Sequence, residues 1–90
     1  MSVPVVLVHG FGTSFQLTWV ANGWVDLLGD EGREVIGVDL LGHGTAPRPH
    51  DESAYDDLGA RVVEALPADR QVDAIGFSLG AKTLLKVVAA

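Results

Sequence analysis

The segment Gly76-Phe77-Ser78-Leu79-Gly80 is the most informative part of the sequence, because it joins a strand-like run to a helix-like run through a single serine. Residues 72–76 form a short apolar run, and a helical pattern of apolar residues follows from Leu79. Glycines two positions either side of Ser78 let the strand and the helix approach closely in a sharp, strained turn. Such a turn holds the serine Oγ above a sheet, where the helix dipole favours developing negative charge. The pattern predicts that Ser78 is a nucleophile.

Two further strands precede this segment, over residues 3–8 and 34–38. Neither alternates cleanly between apolar and polar residues, which is typical of parallel strands covered on both faces. Right-handed crossovers between three such strands give the sheet order second–first–third. We therefore expect an α/β fold, a three-layer sandwich around a mostly parallel sheet, with about three strands and three helices. Ligands bind such sheets at the switch point between the first and third strands.

Helical periodicity fills the two intervals between the strands. The first helix is predicted from apolar residues at helical spacing, with a glycine as its stop: Val20, Trp24, Leu27, Leu28 and then Gly29. The second is predicted from another stripe: Tyr55, Leu58, Val62 and Leu66. Ser53 and Asp56 form a capping box before this second helix, and Gly59 lies inside it. The third helix begins after Ser78 and is apolar nearly all round, apart from Lys82 and Lys86, so we expect it to be buried.

A second motif, His9-Gly10-Phe11-Gly12, follows the first strand directly. A serine nucleophile needs preorganised backbone N–H groups that stabilise a tetrahedral oxyanion. One such donor is the residue after the nucleophile, Leu79, and the other lies in the loop after an earlier strand. Phe11 is positioned for that second role, with Gly12 as the alternative. We expect His9 to fix this loop by hydrogen bonds rather than to act as the catalytic base.

A third segment, Asp39-Leu40-Leu41-Gly42-His43-Gly44, completes a set of three motifs that resembles the α/β-hydrolase family over nearly the whole chain. The resemblance implies that residues 1–90 are the N-terminal part of one hydrolase domain. In the family the catalytic order is Ser, then Asp or Glu, then His. No Asp, Glu or His follows Ser78, so the acid and the histidine are expected beyond residue 90. Asp39 and His43 are then loop-fixing residues, and His50 is a solvated one.

The function implied by this resemblance is hydrolysis of an ester, thioester or related acyl bond, without a metal or cofactor. The expected partners are a small acyl substrate and the remainder of the hydrolase domain. Residues 1–90 alone are expected to be inactive, because the base is missing. The aromatic side chains of Phe11, Phe15 and Phe77 are candidates for lining an acyl pocket.

Two other functions remain open. A binding protein with the hydrolase fold but without catalysis is compatible with the missing acid and base. A nucleotide-binding module is the other, because residues 76–83 match the phosphate-loop pattern G-x-x-x-x-G-K-[ST] except for Ala81 in place of the second glycine.

Composition excludes several other classes of function. The 90 residues carry a net charge of −6 with only six Lys plus Arg, so the basic footprint that nucleic-acid binding requires is missing. No cysteine is present, which excludes a disulfide framework and a thiolate metal site. The first apolar run is too short for a signal peptide, and no stretch approaches the length of a membrane span. These features favour a cytoplasmic protein.

Overall fold

The computed structural model describes residues 3–89 as one parallel sheet with helices on both faces. The elements in chain order are β1 (Val5–Val8), a π-helical turn (Gln16–Val20), α1 (Trp24–Asp30), β2 (Val35–Val38), a 3₁₀ turn (Glu52–Tyr55), α2 (Gly59–Ala65), β3 (Asp73–Gly76) and α3 (Leu79–Ala89). All three predicted strands are present, each shortened by one or two residues at its start.

The three strands are parallel in the order β2-β1-β3. This order confirms the arrangement expected from right-handed crossovers. Val8 of the central strand is level with Val38 of β2 and Gly76 of β3. All three strands therefore end at the same edge, where His9, Asp39 and Phe77 follow them.

The central strand β1 is buried on both faces. Val6 and Val8 pack with Val62 of α2, while Leu79, Leu84 and Val87 of α3 cover the same cluster. Val5 and Leu7 point to the other face and pack with Trp19 of the π-helical turn and residues of α1. Successive side chains of a strand alternate between faces, so a run that is apolar throughout needs a helical layer on each side. The three predicted layers are confirmed.

The first helical segment differs from its prediction. It is split at Gly23, which has a φ of +84° and separates the π-helical turn from α1. Gly29 lies inside α1, and the left-handed glycine after the helix is Gly32, with φ +75°. The predicted stop at Gly29 is therefore wrong.

Trp24 and Leu27 of the predicted stripe are about half exposed, because Trp19, only 4% exposed, occupies the core in their place.

The second helical segment also breaks in two. The side chain of Asp51 accepts a hydrogen bond from the Ser53 N–H at 3.0 Å, so it caps the 3₁₀ turn and the predicted Ser53–Asp56 capping box is wrong. Gly59 begins α2 rather than lying inside a longer helix. A Cβ on Gly59 would lie 2.9 Å from Val87 Cγ2 of α3. The close approach of the two helices thus accounts for a glycine there.

Helix α3 begins immediately after Ser78, as expected, but it is buried on one side only. Gly80 and Thr83 face the sheet, whereas Leu85 and Val88 are 70% and 82% exposed. Strand β3 lies at one edge of the described sheet, and Ile75 on it is exposed. This part of the fold therefore presents apolar side chains to solvent.

Candidate active site

The turn between β3 and α3 holds Ser78 in a strained conformation. Its φ is +56°, and among residues 3–89 it is the only residue other than glycine with a positive φ. A side chain in this region costs on the order of 1–3 kcal/mol and persists only where the surrounding structure enforces it. Ser78 is solvent-exposed, so the turn presents a hydroxyl group at the carboxyl edge of the sheet.

The two glycines flanking Ser78 are needed for close backbone contacts. A Cβ on Gly76 would lie 2.6 Å from the Ala81 nitrogen, inside the first turn of α3. A Cβ on Gly80 would overlap the carbonyl oxygens of Val8 and His9 at the end of β1. The strand and the helix can meet this sharply only because both positions lack a side chain.

Hydrogen bonds hold the turn against the central strand and close the start of α3. The Phe77 N–H donates to the Val8 carbonyl at 3.1 Å, which continues the β1–β3 ladder up to the residue before Ser78. The Gly80 N–H donates to Phe77 O at 3.0 Å. Leu79 is the first residue of α3, so its N–H has no acceptor within the helix. This donor is directly next to Ser78.

The loop after β1 runs against the same turn. A Cβ on Gly10 would lie 3.1 Å from Phe77 Cδ2 and 3.3 Å from the Phe77 carbonyl oxygen. Gly12 has a φ of +77°, and Phe11 between them is 82% exposed. The residues that the sequence assigns to oxyanion binding and to nucleophilic attack are therefore on adjoining segments.

His9 anchors this loop from within the core. Its side chain is fully buried, Nδ1 donates to the Gly10 carbonyl at 2.7 Å, and Nε2 accepts the Leu40 N–H at 3.0 Å. Burial lowers the pKa of His9 below 6.5, and His43 lowers it further, although the Gly10 carbonyl and Asp39 act in the opposite direction. The ring is thus neutral with both nitrogens engaged. The 3.8 Å approach of Nε2 to Asp39 Oδ1 is not an ion pair, since Nε2 carries no proton.

Asp39 joins the loop after β1 to the turn after β2. One carboxylate oxygen accepts the Phe15 N–H at 2.9 Å, and the other accepts the N–H and the hydroxyl of Thr45, each at 2.9 Å. Burial raises the pKa of Asp39, but the hydrogen bonds from Thr45 and Phe15 outweigh burial and lower the pKa below 3.8. A Cβ on Gly44 would overlap this carboxylate. The ionised side chain therefore organises both loops.

The other two histidines occupy different environments. His43 is half-buried, and its Nδ1 donates to the Leu41 carbonyl at 3.0 Å. The centre of its ring lies 5.0 Å from that of His9, with the planes tilted by 47°, and 5.7 Å from that of Phe11 in an edge-on arrangement. His50 is exposed. Both nitrogens of His9 and the Nδ1 of His43 bind loop backbone. Within the described residues, no hydrogen bond joins the Ser78 hydroxyl to a histidine.

A cleft of about 820 Å³ opens between the two loops and the start of α3. Phe11, Leu17, Leu41, Leu58 and Leu79 give it an apolar lining, and Arg48 lies among these residues. Phe15 and Phe77, also considered for an acyl pocket, do not line it. Phe15 packs against the core cluster that contains Leu7 and Trp19, and Phe77 covers Gly10. The sequence interpretation missed Arg48, whose place here depends on the path of the loop after β2.

Among residues 3–89, no group of three or more His, Cys, Asp or Glu side chains is placed to hold a metal ion. Within the same residues, none of the helices has both the length and the apolar character needed to cross a bilayer.

Comparisons with known proteins agree with the fold. The sequence profile of the alpha/beta hydrolase fold family matches residues 3–90. The chain is also similar to the 1-acylglycerol-3-phosphate O-acyltransferase ABHD5 of Rattus norvegicus and of Mus musculus, with 40% identity over 63 residues in each case. That similarity covers 70% of this chain and 17% of the length of either relative. No solved structure gives a significant match. On the family match and the parallel sheet, this chain belongs to the α/β-hydrolase fold family.

Proposed function

We propose that the protein is a serine hydrolase that cleaves an ester, a thioester or a related acyl bond, with Ser78 as the nucleophile. The observation that carries the proposal is the positive φ of Ser78 in a strand-to-helix turn whose flanking glycines have no room for a side chain. Strain of this kind is concentrated at functional positions, because elsewhere a relaxed turn is more stable. A serine that only capped a helix would need no such conformation.

Backbone N–H groups complete the acyl-binding part of the site in this proposal. Leu79 at the start of α3 supplies one donor, where the helix dipole adds to it. Phe11 supplies the second donor, with Gly12 as the alternative. The buried His9 and the ionised Asp39 hold the loop that carries Phe11 through their hydrogen bonds to Gly10, Leu40 and Phe15.

The reaction proceeds in two steps through a covalent intermediate. The Ser78 oxygen bonds to the acyl carbon while a base removes the hydroxyl proton, and the carbonyl oxygen becomes an oxyanion held by the two N–H groups. Collapse expels the alcohol or thiol, which takes up that proton. Water then attacks the acyl-enzyme by the same route, releasing the acid and restoring the serine.

The base and its orienting acid belong to the remainder of the domain in this proposal. The chain spans about a sixth of the length of the curated relatives it matches. Residues 79–90 contain no Asp, Glu or His, and His9 and Asp39 are fully engaged in holding loops. We therefore assign both missing groups to sequence beyond residue 90.

Acyl transfer to an alcohol is a second candidate function. Two relatives that are 40% identical over 63 residues carry an acyltransferase name. Transfer uses the same serine, the same oxyanion donors and the same acyl-enzyme, and it differs only in the acceptor that attacks the intermediate. The proportion of product formed with a competing alcohol such as glycerol distinguishes the two.

The test uses the complete protein and a p-nitrophenyl ester series. Replacing Ser78 with Ala should lower kcat by about 10⁴–10⁶-fold, while residual acceleration over water remains from the oxyanion donors. Ser53→Ala is the matched control, because Ser53 is exposed in the 3₁₀ turn and should leave kcat unchanged. Ester hydrolysis that survives Ser78→Ala would overturn the proposal, and a folded complete protein without any turnover would favour the non-catalytic alternative.

A further inference from the structure

Among the described residues that line the cleft between the two loops, Arg48 is the only one whose side chain carries a permanent charge. Its Nη1 donates to the Gly42 carbonyl at 2.6 Å, and its Nη2 donates to the Gly44 carbonyl at 3.2 Å. These two bonds fix the guanidinium group against the turn after β2. A guanidinium group has five N–H donors, so several remain without a partner in the described part of the chain.

No carboxylate neutralises this cation within the described residues. The ion pairs found there join Arg33 to Asp73 and Arg70 to Glu34, and Arg48 has none. None of the described residues that line the cleft is acidic. The acidic residue of the turn, Asp39, uses its oxygens on Phe15 and Thr45 and lies outside the lining. The described lining therefore carries one positive side chain and no carboxylate, in a chain whose net charge is −6.

The contrast with the neighbouring groove supports a specific role for this charge. The groove between α2 and α3 has a volume of about 530 Å³ and contains Lys82 and Lys86 beside Asp56, Asp57 and Glu64. Charges of both signs are mixed there, as on an ordinary solvated surface. The cleft lined by Phe11 and Leu79 instead combines an apolar lining with one oriented cation, the combination expected where a pocket recognises an amphiphilic ligand.

We infer that Arg48 binds an anionic group of the substrate, and that the substrate is an acyl ester bearing a phosphate or carboxylate group. The apolar lining from Phe11, Leu17 and Leu41 takes the hydrocarbon part, and the guanidinium group takes the anion, for which its planar fork of donors is suited. That the bound ligand is a substrate rests on the proposed chemistry of Ser78, but the binding itself does not depend on turnover.

Binding is measured on the complete protein carrying Ser78→Ala, so that the affinities are independent of catalysis. Calorimetric titration compares n-octyl phosphate and octanoate with octanol, which has the same chain length and no charge. We expect one or both anions to bind about 10–100-fold more tightly than octanol, the effect of hydrogen bonds to a charged group. Tighter binding of octyl phosphate assigns a phosphate, and tighter binding of octanoate assigns a carboxylate.

Three further substitutions in the same background identify the residue responsible. Arg48→Gln should remove the preference for the anions, and Arg48→Lys should retain part of it, because the charge remains but the fork of donors is lost. Arg70→Gln is the matched control, since Arg70 is exposed and paired with Glu34 away from the cleft, and it should preserve the full preference. Equal affinity for all three probes, or a preference that survives Arg48→Gln, would overturn the inference.

Turnover separates this inference from the proposed function. With the complete wild-type protein, kcat/KM for the mono-p-nitrophenyl ester of suberic acid is compared with that for p-nitrophenyl octanoate. Anion-selective binding without Ser78-dependent turnover would reject the proposed function and support the role of Arg48. Turnover that depends on Ser78, without a preference for the anions in the calorimetric series, would support the proposed function and reject the role of Arg48.

Discussion

The backbone of Gly80 lies so close to the Val8 carbonyl that a Cβ at position 80 would overlap the Val8 oxygen. Helix α3 therefore begins directly on the end of the central strand, and the position of Ser78 is set by β1 as well as by its own turn. The same would-be Cβ lies 2.6 Å from the His9 oxygen. The loop after β1 and the serine turn are consequently fixed relative to each other by backbone contact.

Replacing Gly80 with Ala tests this contact. We expect the free energy of unfolding of the complete protein to fall by about 1–3 kcal/mol, because overpacking against backbone atoms cannot be relieved by a rotamer change. Chemical denaturation measures the loss. The variant should also react more slowly at Ser78, since the turn must shift.

Gly29→Ala is the control for that experiment. Gly29 lies inside α1, and the Cβ of an alanine there would meet no atom within 4 Å, so Ala should raise stability by about 0.5–1 kcal/mol through helix propensity. A Gly80→Ala protein as stable as the wild type would show that the close contact with Val8 does not limit the turn.

The carboxylate of Asp39 predicts a specific pH dependence. Its pKa in the folded protein lies below 3.8, so its contribution to stability is complete above about pH 4 and is lost as the pH falls through the lowered value. Asp39→Asn presents an NH₂ group to the donors of Thr45 and should cost about 1–3 kcal/mol near neutral pH. Urea denaturation at several pH values should show this difference shrinking below pH 4. A constant difference between wild type and variant would contradict the assignment.

His9 should stay neutral to a lower pH in the folded protein than in the unfolded chain, because burial lowers its pKa. Since burial lowers its pKa below 6.5, the unfolded chain binds a proton that the folded chain does not, and stability falls as the pH drops below about 6.5. Nitrogen NMR should show the tautomer with hydrogen on Nδ1, matching the bond to Gly10. The same histidine in the urea-unfolded protein serves as the reference. Protonation of His9 at the same pH in the folded and the unfolded protein would rule out this buried role.

Residues 1–90 on their own should self-associate. Ile75 on the edge strand and Leu85 and Val88 on α3 are exposed and apolar, and unpaired strand edges with apolar neighbours promote association. Sedimentation velocity should show concentration-dependent species. The double substitution Leu85→Lys and Val88→Glu should reduce them, whereas Leu27→Lys on α1 should not. A single monomeric species with slow hydrogen exchange throughout the core would contradict this expectation.

The sheet and the serine turn could be predicted from the sequence because both depend on local rules. Unbroken apolar runs specify strands covered on two faces, and the glycines around Ser78 specify the sharp turn. The order β2-β1-β3 follows from the handedness of the crossovers.

The helical intervals and the cleft could not be predicted in the same way, because they depend on contacts distant in sequence. Asp39 binds Phe15, 24 residues earlier in the chain, and Trp19 takes the core position that periodicity assigned to Trp24. Arg48 lines the cleft only because the loop after β2 folds back to place its guanidinium on Gly42 and Gly44. Helical periodicity carries no information about such contacts.

Labelling with a fluorophosphonate tests whether Ser78 is the nucleophile, because the probe forms a covalent bond with an activated serine hydroxyl. Treatment of the complete protein, followed by peptide mapping by mass spectrometry, should place the adduct on Ser78 and leave Ser14 and Ser53 unmodified. Ser14 is buried and accepts the Leu17 N–H, and Ser53 donates to Asp51. Ser78→Ala should abolish labelling. An adduct on a different serine, or undiminished labelling of Ser78→Ala, would contradict the assignment of Ser78 as the nucleophile.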